Sequence, residues 1–249
     1  MLKAAILCLT LATPILCDND GDVTRSALSL DRLVGSRVVA DSESSTGVEV
    51  VGTVEDLIVD AVSGAVARIV VRDVMGAAQD SDEGAEPPLR SVPLDDVTIA
   101  PSGKRAIVTF GLTAEDYRVL PTIDLERELQ PVEGQPTRRV TATSLRGAAL
   151  VTMDGTKLGS VTDVWLDVAA DRIDFVEHEV SGGAAGAPFS VVKWTFTEGA
   201  APSGEVQRDS EFVLAIPRIS PDDHRTLKHR DYRALLRTSY GVKQPDTDA

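Results

Sequence analysis

From Leu28 onward the chain alternates between short aliphatic runs and clusters of Gly, Pro, Asp and Ser. Regularly spaced runs bounded by turn formers predict many short strands in a small sandwich or barrel, not a helical bundle. The run Val54–Val59 is informative because neither of its faces is polar throughout. Val54 and Ile58 share a side with Asp56, while Leu57 and Val59 share the other with Glu55. A strand buried in part on both sides suits a tightly curved sheet closing on itself. The predicted class is therefore mainly β: two tandem small β-barrels, each followed by a short helix, the C-terminal helix being the longer.

The two-barrel expectation comes from an internal repeat. Leu33-Val34-Gly35-Ser36-Arg37-Val38-Val39 precedes Gly52-Thr53-Val54-Glu55-Asp56-Leu57-Ile58-Val59-Asp60. Leu145-Arg146-Gly147-Ala148-Ala149-Leu150-Val151 precedes Gly159-Ser160-Val161-Thr162-Asp163-Val164-Trp165-Leu166-Asp167. Gly52 and Gly159 stand 107 positions apart, and Asp56/Asp163 and Asp60/Asp167 keep that spacing. Each copy continues with a turn, an apolar run (Val66–Val71, Ile173–Val176) and a polar loop (Gly76–Pro88, Ser181–Pro188). A short segment follows (Val92-Pro93-Leu94, matched to Val192-Lys193-Trp194), and then a last strand, expected at Ala106–Phe110 and Glu211–Ile216. Thr113-Ala114-Glu115-Asp116 predicts a capped helix ended by Pro121. Ser220-Pro221 starts a second helix expected to run to about Tyr240 and to stop at Gly241. Pro131, Gly134 and Pro136 mark a linker. The expected division is a leader at 1–17, a first barrel at 28–120, a linker at 121–139, and a second barrel with its helix at 140–242.

Leu-x-Gly, a loop, Gly-x-Val-x-Asp-Leu/Val-x-x-Asp, an apolar strand and a Val-Pro-(Trp) segment together resemble the PRC-barrel family. That family is named for the photosynthetic reaction-centre H subunit and shares its small barrel with a ribosome-maturation factor. The resemblance covers about residues 28–112 and, more weakly, 142–217. Its repeat signature falls on Gly35, Gly52, Asp56, Asp60 and Pro93, and on Gly147, Gly159, Asp163, Asp167 and Trp194. A Pro-Trp pair frequent in the family is split here between Pro93-Leu94 and Lys193-Trp194. The resemblance implies a fold and an adaptor-like role without chemistry, because a fold alone fixes no function.

Composition narrows the role. A formal charge of −14 repels phosphate backbones, so no nucleic-acid partner is expected. The first residues hold Lys3, an apolar stretch Ala4–Leu16 broken by Pro14, and then Asp18-Asn19-Asp20. Too short to span a bilayer, this stretch predicts a cleaved secretory leader and a periplasmic or secreted protein. Lipid anchoring at Cys17 is the alternative, disfavoured by the bulky Leu16 before it. Cys8 and Cys17 are the only cysteines, so cleavage at or beyond Cys17 leaves neither disulfide nor thiol chemistry.

No catalytic constellation stands out, and neither an enzyme nor a cofactor or metal is expected. Asp56/Asp60 and Asp163/Asp167 suit turn capping better than metal or proton handling. Asp18-Asn19-Asp20-Gly21-Asp22 places its glycine too early for an EF-hand. Asp80, Asp82, Glu83 and Glu86 form a solvated acidic loop. Among the three histidines, His224 and His229 are five apart and share no helical face, while His178 lies between Glu177 and Glu179. The candidate interaction element is the C-terminal helix, with Arg225, Lys228, Arg230, Tyr232, Arg233 and Arg237. Leu227, Leu235, Leu236 and Tyr240 give it an apolar stripe that either packs on the second barrel or docks on an anionic partner or membrane. The leading expectation is an exported binding or scaffold protein of the bacterial envelope with a protein partner. The alternative is an accessory subunit of a membrane electron-transfer complex. Oligomeric state is left open.

Overall fold

A computed structural model describes residues 27–42, 47–75, 86–102, 104–130, 138–180, 182–197, 200–220 and 226–243. The leader, the Asp18–Asp22 motif, Asp80, Asp82, Glu83, His224, Arg225 and the linker residues 131–137 lie outside them. The described chain opens with β1 (Ala27–Ser29) and one turn of helix, α1 (Leu30–Leu33). Six strands follow: β2 (Arg37–Asp41), β3 (Val48–Asp60), β4 (Val66–Asp73), β5 (Leu89–Pro93), β6 (Val97–Ser102) and β7 (Arg105–Thr113). Helices α2 (Ala114–Arg118) and α3 (Leu125–Glu128) come next, then β8 (Arg139–Thr141) and a 3-10 turn at Thr143–Leu145. The second half holds β9 (Ala149–Thr152), β10 (Lys157–Asp167), β11 (Arg172–Val180), β12 (Gly183–Pro188), β13 (Val192–Thr195) and β14 (Ser203–Val206). It ends with α4 (Ser210–Ala215) and α5 (Arg230–Tyr240).

The fold is mainly β, in two seven-stranded sheets that repeat each other strand for strand. One runs β5-β4-β3-β2-β7-β6 and the other β12-β11-β10-β9-β14-β13. In each, the second long hairpin pairs antiparallel, and one parallel pair (β2 with β7, β9 with β14) joins the remaining strands. Register shifts in β3 between Val54 and Asp56 and between Ile58 and Val59 recur in β10 between Val161 and Asp163 and between Trp165 and Leu166. Such bulges bend a strand and strengthen its twist, which accounts for apolar side chains on both faces of Val54–Val59. Gly35 and Gly147 both take left-handed backbone (φ 75° and 78°), open to glycine without cost. Each donates its N–H to the long strand of its own sheet, at Val54 and Val161.

Closure differs from expectation. Each hydrogen-bonded path is open, with no pairing among the described residues that joins its two ends. The ends are tied instead by the chain itself. β5 and β6 are opposite edges of one path, yet only the 3-10 turn Leu94–Asp96 separates them, and Phe189–Val191 does the same for β12 and β13. Pro93 and Pro188 close the edge strands just before these turns, where a missing N–H breaks no ladder. The outer sides of β5 and β12 also each accept a hydrogen bond. Ile123 donates its N–H to the Leu89 carbonyl (2.8 Å), and Ile219 does so to Ala184 (2.9 Å).

Two sequence matches need correction. Pro93 lies opposite Arg68 and Pro188 opposite Phe175 in equivalent ladders, so the partner of Pro93-Leu94 is Pro188-Phe189. Trp194 sits one strand further on, in β13, at the place of Ile99. Matching on the conspicuous tryptophan skipped the edge strand, because Gly183–Pro188 is built of Gly and Ala and has no aliphatic run. Likewise Glu211–Ile216 is not the last strand. Asp209 accepts the Phe212 N–H (2.8 Å) and starts α4 there, while β14 at Ser203–Val206 is the counterpart of β7. The capping box at Thr113 and Asp116 forms as expected. The terminal helix begins at Arg230, ten residues later than expected from Ser220, and ends at Gly241 with φ 70°.

The halves are not separable along the sequence. β1 pairs with β10 of the second sheet, Leu28 opposite Leu166. β8 pairs with β3 of the first sheet, Val140 opposite Val59. Allowing for the repeat spacing, the two registers are the same, so each half lends its first strand to the other. Leu28, Leu30 and Leu33 on one segment, and Val140, Ala142 and Leu145 on the other, are buried in a single aliphatic cluster that runs through both halves. The turns after β3 and β10 also meet. Val66 donates to the Asp171 carbonyl and Ile173 to that of Gly64, both at 2.8 Å.

Because the exchanged strands share one core, unfolding is expected to be a single cooperative transition. Leu28→Ala, at a site 1% exposed, should cost about 2–5 kcal/mol and shift that one transition as a whole. Calorimetry that resolves two transitions, only one of them moved by Leu28→Ala, contradicts the shared core.

Candidate functional site

The polar groups singled out in the sequence converge on the junction between the halves. Asp56 is buried in the first sheet and accepts the Leu57 N–H (2.7 Å). It reaches across to the 3-10 turn after β8, accepting the Thr143 N–H (3.1 Å) and hydroxyl. Its repeat partner Asp163 accepts the Val164 N–H (2.8 Å) and faces the backbone of Asp31, at the start of α1. Both carboxyls are therefore directed at a helical turn of the other half, and Asp56 caps its turn with two hydrogen bonds. Burial raises the pKa of each, against the lowering effect of these hydrogen bonds. Asp60 holds its own turn, accepting the N–H groups of Val62 (3.0 Å) and Ser63 (2.6 Å), as Asp167 does for Ala169 and Ala170 (3.2 Å each). The four carboxylates thus organise backbone. Glycine is required beside them, since a Cβ on Gly52 would lie 2.5 Å from Val71 and one on Gly159 2.5 Å from the Glu179 carbonyl.

The interaction residues of the terminal helix divide between two faces. Tyr232, Arg233 and Arg237 are buried under α5, whereas Lys228 and Arg230 are exposed. Arg237 forms a buried ion pair with Asp174 and lies 5.2 Å over the Phe175 ring. Arg233 donates to the carbonyls of Leu227 and Lys228 (2.8 Å each), and Tyr232 donates to Pro217 (2.7 Å). Gly186 on β12 admits the helix, since a Cβ there would lie 2.8 Å from Leu236 and 2.9 Å from Leu227. In the first sheet the places of Phe175 and Gly186 hold Arg68 and Ser91, which bond to each other (2.9 Å). The second sheet thus carries a helix-accepting face where the first carries a polar one.

His178, although flanked in sequence by Glu177 and Glu179, lies inside the protein. It occupies the place of Val71 in the repeat and is fully buried on β11. Nδ1 lies 3.1 Å from the Glu179 carbonyl, and Nε2 has no hydrogen-bond partner among the described residues. Burial lowers its pKa, favouring the neutral ring. The neighbouring glutamates point elsewhere: Glu177 accepts from Trp165 Nε1 (3.2 Å) and Glu179 from the Ser160 hydroxyl (3.3 Å).

Residues 138–208 match the PRC-barrel domain. The match runs from β8 to the residues just after β14, so it includes the strand that this half lends to the other sheet. A search of curated proteins finds no match to the chain. The PRC-barrel family is generally non-enzymatic. Among the described residues no group of three or more His, Cys, Asp or Glu is placed to hold a metal ion, and no helix is long and apolar enough to cross a membrane. Sequence reading missed Thr143, Asp31 and Asp174. The signal for the first two was present, since Asp31 and Thr143 precede equivalent leucines (Leu33 and Leu145) by two residues. Nothing local marked Asp174.

Two outcomes follow. Arg237→Ala leaves Asp174 buried without its main partner and should cost about 3–5 kcal/mol, whereas the exposed Lys228→Ala should stay within about 0.5 kcal/mol; denaturant titration compares them. His178 has a folded pKa below its ordinary 6.5, so its contribution to stability is full above that value and falls as the pH drops below it. His178→Val, which installs the residue found at position 71, should flatten the loss of stability between about pH 7.5 and 5.5. An unchanged pH dependence would show that the ring does not titrate on unfolding.

Proposed function

We propose that the chain is an exported, non-enzymatic PRC-barrel protein of the bacterial envelope, built from two such domains and serving as a binding or scaffold module for a protein partner. The observation that carries this reading is the strand-for-strand repeat. The sheet matched to the family has the same order, the same parallel pair and the same edge turn as the sheet built from residues 37–113. The first half is therefore read as a second PRC-barrel domain. The buried acids and the buried arginines Arg233 and Arg237 all bond to backbone or to one another across the fold, a use of charge that fits a rigid body more than a reaction centre. The Lys3–Leu16 leader pattern supports export.

Export has a direct check. Expressed in its native host, the protein should be recovered from the periplasm with an intact mass that lacks at least the first 16 residues. A full-length mass in the cytoplasm would remove the envelope from the proposal. A mass increase matching acyl chains on Cys17 would replace the free form with an anchored one.

A further inference from the structure

The repeat provides an internal control for every surface position. On the outward face of the second sheet, one row across four strands reads Lys193, Glu205, Val151, Lys157, and the next reads Thr195, Ser203, Ala149, Ser160. That face suits water. The equivalent row of the first sheet reads Thr98, Thr109, Val39, Val50, and the next Ala100, Ile107, Arg37, Thr53. Val48, opposite Asp41, extends the same face. Val48 is 65% exposed, Ile107 41% and Val50 40%. With backbone and ladder alike, the first sheet has aliphatic and threonine side chains where the second has lysines and a glutamate.

The charges on this face indicate the occupant. The outward residues of β2 are Arg37, Val39 and Asp41, and neither charged group forms an ion pair among the described residues. Successive outward residues on a strand are about 6.6 Å apart, so the two charges stand at equal distances on either side of Val39. A twofold axis lying across the strands at Val39 would stack a second copy face to face and run its β2 antiparallel over the first. Arg37 of each copy would then lie over Asp41 of the other, with Val39, Val48 and Val50 between the sheets. Isologous contacts need this self-complementarity, and stacked sheets about 10 Å apart leave room for such side chains. A chain of formal charge −14 repels its own copies over most of its surface. This face is locally neutral, and its charge pattern pairs with itself.

We propose that the outward face of the first sheet is a self-association surface, which joins two copies of the chain about a twofold axis through Val39. The inference goes beyond the scaffold reading and does not rest on it. The mature full chain is expected to show a concentration-dependent dimer in sedimentation velocity and light scattering, with Ile107→Asp weakening it at least about tenfold. Arg37→Asp and Asp41→Arg should each be monomeric alone, because each places like charges opposite one another. An equimolar mixture of the two should dimerise, since it restores an acid opposite every guanidinium. Thermal melts of the variants, whose altered side chains all face solvent, verify that each is folded. A wild-type chain that stays monomeric up to about 100 μM, far weaker than standard interfaces, overturns the proposal. So does a dimer that survives Arg37→Asp, or a mixture that fails to associate while both variants melt as the wild type does.

Discussion

The structure depends on a reciprocal loan of two three-residue strands. Alone, a strand as short as β1 or β8 gains little from its few ladder bonds. Its contribution comes from the leucines and valines that follow it into the other half's interior and from the carboxylate waiting at the end. Asp56 holds the helical turn that follows β8, Asp163 faces the one that follows β1, and the two borrowed strands pair in the same register. Neither sheet has its full complement of seven strands until the other half is in place. The two halves are therefore coupled by connectivity rather than by a large interface between two finished domains.

Where the halves differ most, they differ at surfaces and inside the core, while the order of pairing is kept. Gly64 and Asp171 occupy equivalent turn positions and both take positive φ (76° and 49°), one at ease and the other as an acid tolerated there. Val71 becomes His178 within the core. Arg68 and Ser91 become Phe175 and Gly186, which creates a face needing cover, and the chain provides that cover with α5. The buried Arg237–Asp174 pair gives the helix a fixed seat at the cost of desolvating two charges, a balance that favours positional specificity over added stability.

Much of the fold was legible in the sequence because the repeat keeps its punctuation: Gly35/Gly147, Gly52/Gly159 and the spaced aspartates mark the same turns and bulges twice. The capping box at Thr113 was equally plain, since its signal is local. The misreadings have a common cause. β12 is assembled from Gly and Ala, and β14 from Ser-Gly-Glu-Val, and neither shows the aliphatic alternation that marks a strand. Both strands are held by neighbours rather than by their own composition. The exchange of β1 and β8 is a property of pairing between distant segments, so no window of sequence contains it. At the site, Asp60 and Asp167 were identifiable as turn residues, whereas Asp56 and Asp163 stand at bulges inside β3 and β10, and the backbone of the other half that they face was visible only in three dimensions. The buried state of His178 was hidden by its two charged neighbours, which in the fold point away from it.

The three-residue turns that bind one edge of each sheet to the other have a consequence for behaviour at high concentration. Open sheets ordinarily offer unpaired edges on which other chains can template cross-β aggregates. Here a proline ends each of β5 and β12, and Ile123 and Ile219 already use carbonyls on their outer sides. Neither β5 nor β12 therefore offers an incoming strand a continuous ladder on which to start a fibre.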